Sequence, residues 1–192
     1  LLFIGNNKKI IVSNLRFLLS GSGGQGVITM AILLAEAAVK HEGLVAVQSQ
    51  SYGPEARGGA TRSDVILSHK AIHYPKVEQP NVLVALTDTA CGKYLPLIRP
   101  GGLCMYDTDL VHPGRRVEAR FKGIPLWSTL HGHLGSTISY NITVLGALVT
   151  LTGAVRIESI EKVLAERFPP AHHEANRSAL HLGAELAEPL LD

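Results

Sequence analysis

In the stretch LLSGSGGQGVITMAILLAEAA, Gly21, Gly23 and Gly26 stand where an apolar strand gives way to an amphipathic helix. Glycines in this GxGxxG pattern permit a tight turn and close backbone approach. The first turn of the following helix offers unpaired N–H groups and the positive end of its dipole to an anion. Gly21, Gly23, Gly24, Gln25 and Gly26 are therefore candidate contacts for an anion such as a phosphate. The rest of a dinucleotide site is not in place. The acid that holds the ribose hydroxyls of NAD is expected about 20 residues further on, at the end of the second strand. That strand ends Val47-Gln48-Ser49-Gln50, with Glu42 ahead of it and Glu55 well past it. No Arg stands at the strand end to take the extra phosphate of NADP, and no Lys-Ser/Thr pair follows the glycines as a P-loop requires. The alternative is a turn that serves only to pack a helix tightly on a sheet.

A second glycine cluster lies in SYGPEARGGATRSDVILS. Gly53 and Pro54 suit a turn, Gly58 and Gly59 let the backbone pass close to another surface, and Arg57 presents a planar fork to a carboxylate or phosphate. Tyr52, Gly53, Pro54, Glu55, Arg57, Gly58 and Gly59 are candidate interface residues. Read without a partner, Glu55 and Arg57 are ordinary solvated loop charges. No catalytic residue is assigned. Asp88 and Asp107 each follow an apolar strand, where a catalytic carboxylate can sit, but Thr87-Asp88 ahead of a helix favours a plain N-cap. His131 and His133 form an HxH pair without a third ligand at a telling distance, and His172-His173 beside prolines suits a solvated turn, so no metal site is expected. Cys91, near a helix start, reads as a small apolar filler.

The elements that must position these residues alternate. A strand is expected at Arg16–Ser20, a helix from about Gly24 to Lys40 ended by Gly43, and a strand at Leu44–Val47, together a βαβ unit. Asp64–Ser68 and Ala71–Pro75 look like antiparallel additions, the second an edge because of Pro75. Val82–Leu86 is a continuous apolar run of the buried parallel kind. It is followed by a helix through Tyr94–Ile98, a strand Gly102–Asp107 and a strand Ile124–Ser128. A helix is expected over Leu134–Leu151, closed by Gly153, with Ile138, Ile142, Leu145 and Val149 on one face. Another carries Ile157, Ile160, Val163, Leu164 and Phe168 up to Pro169 and Pro170, and Ala175–Ala187 is the last. The fold class is α/β: a Rossmann-like three-layer fold with a mostly parallel sheet, an antiparallel addition and C-terminal helices.

With 192 residues, 46% of them hydrophobic, one sizeable domain is expected over residues 15–192, and residues 1–14 read as an extension or a hairpin around GNNK. Eighteen Lys and Arg against 16 Asp and Glu, scattered along the chain, give no basic patch for nucleic acid. The two cysteines, Cys91 and Cys104, stand far apart, which leaves neither a disulfide framework nor a cluster-binding motif and fits a reducing cytoplasm. No apolar run approaches the roughly 18 residues that would span a bilayer, so no membrane partner is expected.

GSGGQG followed by SYGPEARGG, a strand and IHYP resembles the gamma subunit, or gamma domain, of the thiamine-diphosphate-dependent 2-oxoacid:ferredoxin oxidoreductases. The resemblance runs from about Arg16 to Phe168, and PEARGG with IHYP leans to the 2-oxoglutarate and branched-chain types rather than the pyruvate type. It implies a reaction in which a 2-oxoacid is oxidatively decarboxylated, two electrons pass through iron–sulfur clusters to ferredoxin, and the acyl group goes to coenzyme A. It implies alpha and beta subunits, and in some complexes a ferredoxin-like delta subunit, as partners, with thiamine diphosphate, magnesium, an Fe–S cluster and coenzyme A used by the complex. None of these is expected on this chain alone, which has no GDG motif and no clustered cysteines. The isolated chain is expected to be inactive and to form a homodimer or a higher assembly. Asn141 matches an Asn common in the family, and both glycine motifs are implied to face the partner subunits. Two other readings stay open: a stand-alone NAD(P)-dependent oxidoreductase, and a regulatory module binding coenzyme A or a nucleotide.

Overall fold

The structure, a computed structural model, describes residues 14–51, 59–114, 117–135 and 138–191. The expected N-terminal hairpin and interface residues Tyr52, Gly53, Pro54, Glu55, Arg57 and Gly58 lie outside them.

A six-stranded sheet forms the centre. In chain order the strands are β1 (Leu15–Gly21), β2 (Val45–Ser51), β3 (Thr61–Ser68), β4 (Val82–Ala85), β5 (Gly102–Asp107) and β6 (Ala119–Ile124). Across the sheet they run β2-β3-β1-β4-β5-β6. β3 is antiparallel to both β1 and β2, while β4, β5 and β6 follow β1 in parallel. The helices are α1 (Val27–His41), α2 (Asp88–Tyr94), α3 (Leu126–Leu134), α4 (Tyr140–Thr152), α5 (Ile157–Arg167) and α6 (His173–Ala187).

Alternate residues of the strands feed two cores. Phe17, Leu19, Val65, Val84 and Met105 point to the side covered by α1 and α3 to α6. Leu18, Ile66, Leu83 and Cys104 point to the side covered by α2. This alternation makes the three layers, because a strand buried on both faces needs a cover on each. α4 is buried nearly all round. It crosses α6 so closely that a Cβ on Gly146 would overlap the Leu180 carbonyl, and one on Gly183 the Thr143 carbonyl.

Four expectations are corrected. β1 and β2 run in the same direction but are not neighbours, because β3 lies between them. β3 buries Val65 and Leu67 in one core and Ile66 in the other, which holds it inside the sheet rather than beside it. Ala71–Pro75 forms no strand; Pro75 lacks the N–H a ladder needs, and His73 and Tyr74 are exposed. The expected strand Ile124–Ser128 contains only the end of β6, after which Pro125 stops the ladder and α3 begins with Leu126 and Leu130 buried one turn apart. The expected helix Leu134–Leu151 is two helices. Gly135, at φ 62°, closes α3 in the left-handed conformation, and Ile138 is 89% exposed ahead of α4 rather than on its buried face.

Candidate functional site

The carboxyl ends of β1, β4 and β5 meet along one edge of the sheet, and the glycine turn sits there. β1 ends at Gly21, and Gly24 and Gly26 take positive φ values of 89° and 69°, backbone that favours glycine. Gln25 braces the turn from within. Its Oε1 accepts the Ser22 N–H at 2.7 Å, and its Nε2 donates to the Leu86 carbonyl at 3.1 Å, just past β4. A Cβ on Gly21 would overlap that same Gln25 amide oxygen and stand 3.1 Å from Leu86 Cβ. Gln25 is thus a scaffold for the turn, with its amide committed to backbone. Gly23 and Gly24 face open space within 4 Å. Gly26 caps α1 without a side-chain bond, and no acid stands in that first turn. An exposed backbone turn with an uncapped positive helix end is suited to contact with an anion.

Asn141, at the start of α4, covers the turn from the side. A Cβ on Gly26 would stand 2.7 Å from Asn141 Cγ and Nδ2, so the asparagine lies directly on the glycine backbone. Asp107, at the end of β5 and fully buried, holds that helix start in place. Its Oδ2 accepts from the Tyr140 hydroxyl at 2.6 Å and from the Trp127 N–H at 3.0 Å, while Oδ1 accepts from the Asp109 N–H at 2.9 Å. Asp109 in turn accepts the Ser128 N–H at 2.8 Å, so two carboxylates cap α3. The Tyr140 and Trp127 rings meet edge to face, centroids 5.2 Å apart. Burial pushes the Asp107 carboxyl above its ordinary range against the pull of the Tyr140 bond, and burial together with Asp107 pushes the tyrosine hydroxyl up as well. With its lone pairs turned inward, Asp107 acts as a latch between β5, α3 and α4.

The remaining candidates have structural partners. Thr87 accepts the Ala90 N–H at 3.1 Å as the N-cap of α2, and Asp88 accepts the His112 N–H at 2.7 Å. Cys91 and Cys104 are free and buried against one another. The Cys91 contact and burial push the Cys104 thiol well above the thiol range, and the bond from Cys104 lowers that of Cys91. His131 and His133 are exposed on the last turn of α3, and the His173 ring bonds the Phe168 carbonyl at 2.6 Å. Among the described residues no three His, Cys, Asp or Glu side chains gather as a metal site would require. No helix among them is long and apolar enough to cross a membrane.

The strand ends that flank the second glycine motif lie at the edge of the sheet that carries the glycine turn. Thr61, where β3 begins, pairs with Gly21, and Ser51, where β2 ends, pairs with Arg62. Gly59, which is exposed, therefore lies at the same edge as the glycine turn. Tyr140, Trp127 and Asp109 are absent from the sequence-based candidates. Asp107 and Tyr140 stand 33 residues apart, and no local pattern marks such a pair.

Residues 16–186 match the family model described as pyruvate ferredoxin/flavodoxin oxidoreductase. The chain is 39% identical to the 2-oxoglutarate synthase subunit KorC of Methanocaldococcus jannaschii, over 96% of this chain and 100% of the relative. It is similar to the gamma subunit of a keto/oxoacid ferredoxin oxidoreductase from Geobacter sulfurreducens, with a TM-score of 0.83, 41% identity, and coverage of 91% of this chain and 99% of that one. The fold also recurs in the 2-oxoglutarate:ferredoxin oxidoreductase of Magnetococcus marinus, at a TM-score of 0.82 and 23% identity, over 93% of this chain and 32% of the larger one.

Proposed function

The chain belongs to the pyruvate ferredoxin/flavodoxin oxidoreductase family, and from that premise we propose that it serves as the gamma subunit of a 2-oxoacid:ferredoxin oxidoreductase of the 2-oxoglutarate type. The observation that carries this reading is the 39% identity that spans the whole of a 2-oxoglutarate synthase subunit. The complex converts a 2-oxoacid, coenzyme A and oxidised ferredoxin to acyl-CoA, carbon dioxide and reduced ferredoxin.

The residues of this chain do not fit the electron-transfer or decarboxylation cofactors. No GDG motif occurs in the sequence, and its two cysteines are buried against one another on α2 and β5. Thiamine diphosphate with its magnesium, which supplies the decarboxylation chemistry, and the Fe–S cluster belong in this reading to alpha, beta and delta-type partners in the cytoplasm. This chain contributes a rigid edge. Gln25 and Asn141 hold the turn, Gly23 and Gly24 leave its backbone open to a coenzyme A phosphate or a partner carboxylate, and the Tyr52–Gly59 loop meets a partner subunit beside it. Support for that placement comes from the pairing of Thr61 with Gly21.

The test is co-expression of this chain with alpha and beta subunits of a 2-oxoglutarate:ferredoxin oxidoreductase from the same source, followed by affinity capture and assay of succinyl-CoA formation from 2-oxoglutarate. Co-purification and activity that depends on this chain are expected. Full activity of the partners without it, or failure to associate, would overturn the reading.

A further inference from the structure

The amino ends of the parallel strands hold a cleft of about 640 Å³, lined by Arg16, Tyr74, Lys76, Glu78, Leu97 and Arg99 among others. Its volume falls within the roughly 300–1,000 Å³ of small-molecule sites. It opens at the edge of the sheet opposite the glycine turn. Asn81, which is buried, fixes the Arg16 backbone: it accepts the Arg16 N–H at 3.0 Å and donates its own N–H to the Arg16 carbonyl at 2.8 Å. The Arg99 N–H donates to the Pro80 carbonyl at 3.1 Å, which ties the opposite wall to the same strand start.

The charge in this cleft is unbalanced. Arg16, Lys76 and Arg99 line it, and none of their side chains has a hydrogen bond or ion pair among the described residues. Its one carboxylate among the lining residues, Glu78, accepts the Tyr74 hydroxyl at 2.7 Å. Elsewhere the pattern differs: Lys40 pairs with Glu166, Arg156 with Glu42, Arg167 with Glu36 and Arg177 with Glu161. Arg16 is half-buried, and a cation held partly away from water without a counter-ion is unfavourable. An external anion would offset this charge.

Beside the cations stand an aromatic ring and aliphatic surface open to solvent, with Tyr74 52% and Leu97 38% exposed. Arginine forks suit phosphate oxygens, and an exposed aromatic face suits a flat heterocycle. We propose that this cleft binds a phosphorylated small molecule bearing a flat ring, of the nucleoside diphosphate class. Arg16, Lys76 and Arg99 take the phosphates and Tyr74 takes the ring. The inference is independent of the gamma-subunit reading, because it uses none of the residues at the glycine turn.

Calorimetric titration of the purified chain with ADP, pyrophosphate and adenosine tests it. Saturable ADP binding that weakens with salt is expected, with pyrophosphate weaker and adenosine weaker still. Arg16→Gln and Arg99→Gln should each loosen ADP by at least about tenfold, the loss of one charge-assisted contact. Arg99 is exposed, so that variant retains the fold. Tyr74→Ala should loosen ADP and leave pyrophosphate unchanged, and Asn141→Ala, at the opposite edge, should change neither. No binding at millimolar ADP, or affinity unmoved by both arginine variants, would overturn the proposal. So would loss of binding in Asn141→Ala, which would place the ligand at the glycine turn, or binding of hexaglutamate in place of ADP, which would mark the cleft as a dock for an acidic protein segment.

Discussion

Gly26 meets two separate demands. Its φ of 69° disfavours a side chain by roughly 1–2 kcal/mol, and the Asn141 side chain occupies the space a Cβ would need. These demands can be separated. Gly26→Ala should destabilise the chain by about 2–4 kcal/mol, the backbone strain plus the displacement of a packed neighbour. Asn141→Gly added to it should restore only the steric share, leaving the conformational penalty. Denaturant midpoints of the two single variants and the double variant read this directly. Strict additivity would show that Asn141 does not press on the turn.

At the scale of elements, the helices are joined by contacts that sequence periodicity does not reveal. Glu42, just past α1, accepts the Arg156 N–H at 3.0 Å and bonds the Ser159 hydroxyl, so it caps α5 from a distance of more than 100 residues. Burial acts to raise its carboxyl, but the bonds from Ser159 and Arg156 outweigh it and hold the pKa below the ordinary glutamate range. A depressed native pKa means that the unfolded chain binds the proton more readily. The stabilisation is therefore present above the unfolded value and is lost as pH falls through the folded one. Melting of wild type and Glu42→Gln from neutral to about pH 3 should show a gap of roughly 1–2 kcal/mol that closes in acid. A gap that widens in acid would contradict this account. The α4–α6 crossing gives a second expectation at this scale. Gly183→Ala places a methyl on the Thr143 carbonyl, and separation of the two backbones should destabilise by about 1–3 kcal/mol or more, seen as a lowered urea midpoint with an unchanged slope.

For the whole molecule, the relatives are subunits of 2-oxoglutarate synthase, and in the proposed reading this chain contributes a surface to such an assembly. In that reading Arg57 serves a partner rather than the fold, and Arg57→Ala should leave the melting of the free chain nearly unchanged. In the reconstituted complex it should raise the KM for coenzyme A or weaken subunit association by about 1–3 kcal/mol, the worth of a charge-assisted bond. Kinetics of acyl-CoA formation against coenzyme A concentration, read beside gel filtration, separate the two effects. Wild-type behaviour in both would make the loop a solvated connection.

The layered α/β class, β1, β4, β5 and the helices α1, α5 and α6 were legible in the sequence. Each is written locally, in an apolar run of strand length, a stripe with helical period, or a glycine or proline at its end. The family was legible for a related reason, since GSGGQG and SYGPEARGG are contiguous motifs whose backbone demands only certain residues meet. Tertiary structure alone decided where β3 goes. The alternation in SDVILS shows two faces but not which strands will flank it, and burial of Ile66 against one core and Val65 and Leu67 against the other settled that. It also decided that Pro125 begins a helix, because the N–H groups of Trp127 and Ser128 are capped by Asp107 and Asp109 from another element. Asn141 on Gly26, Asp107 on Tyr140 and the three cations around one cleft are of the same kind. Their members lie tens of residues apart, and contact energy that depends on packing in space leaves no period in the sequence that carries it.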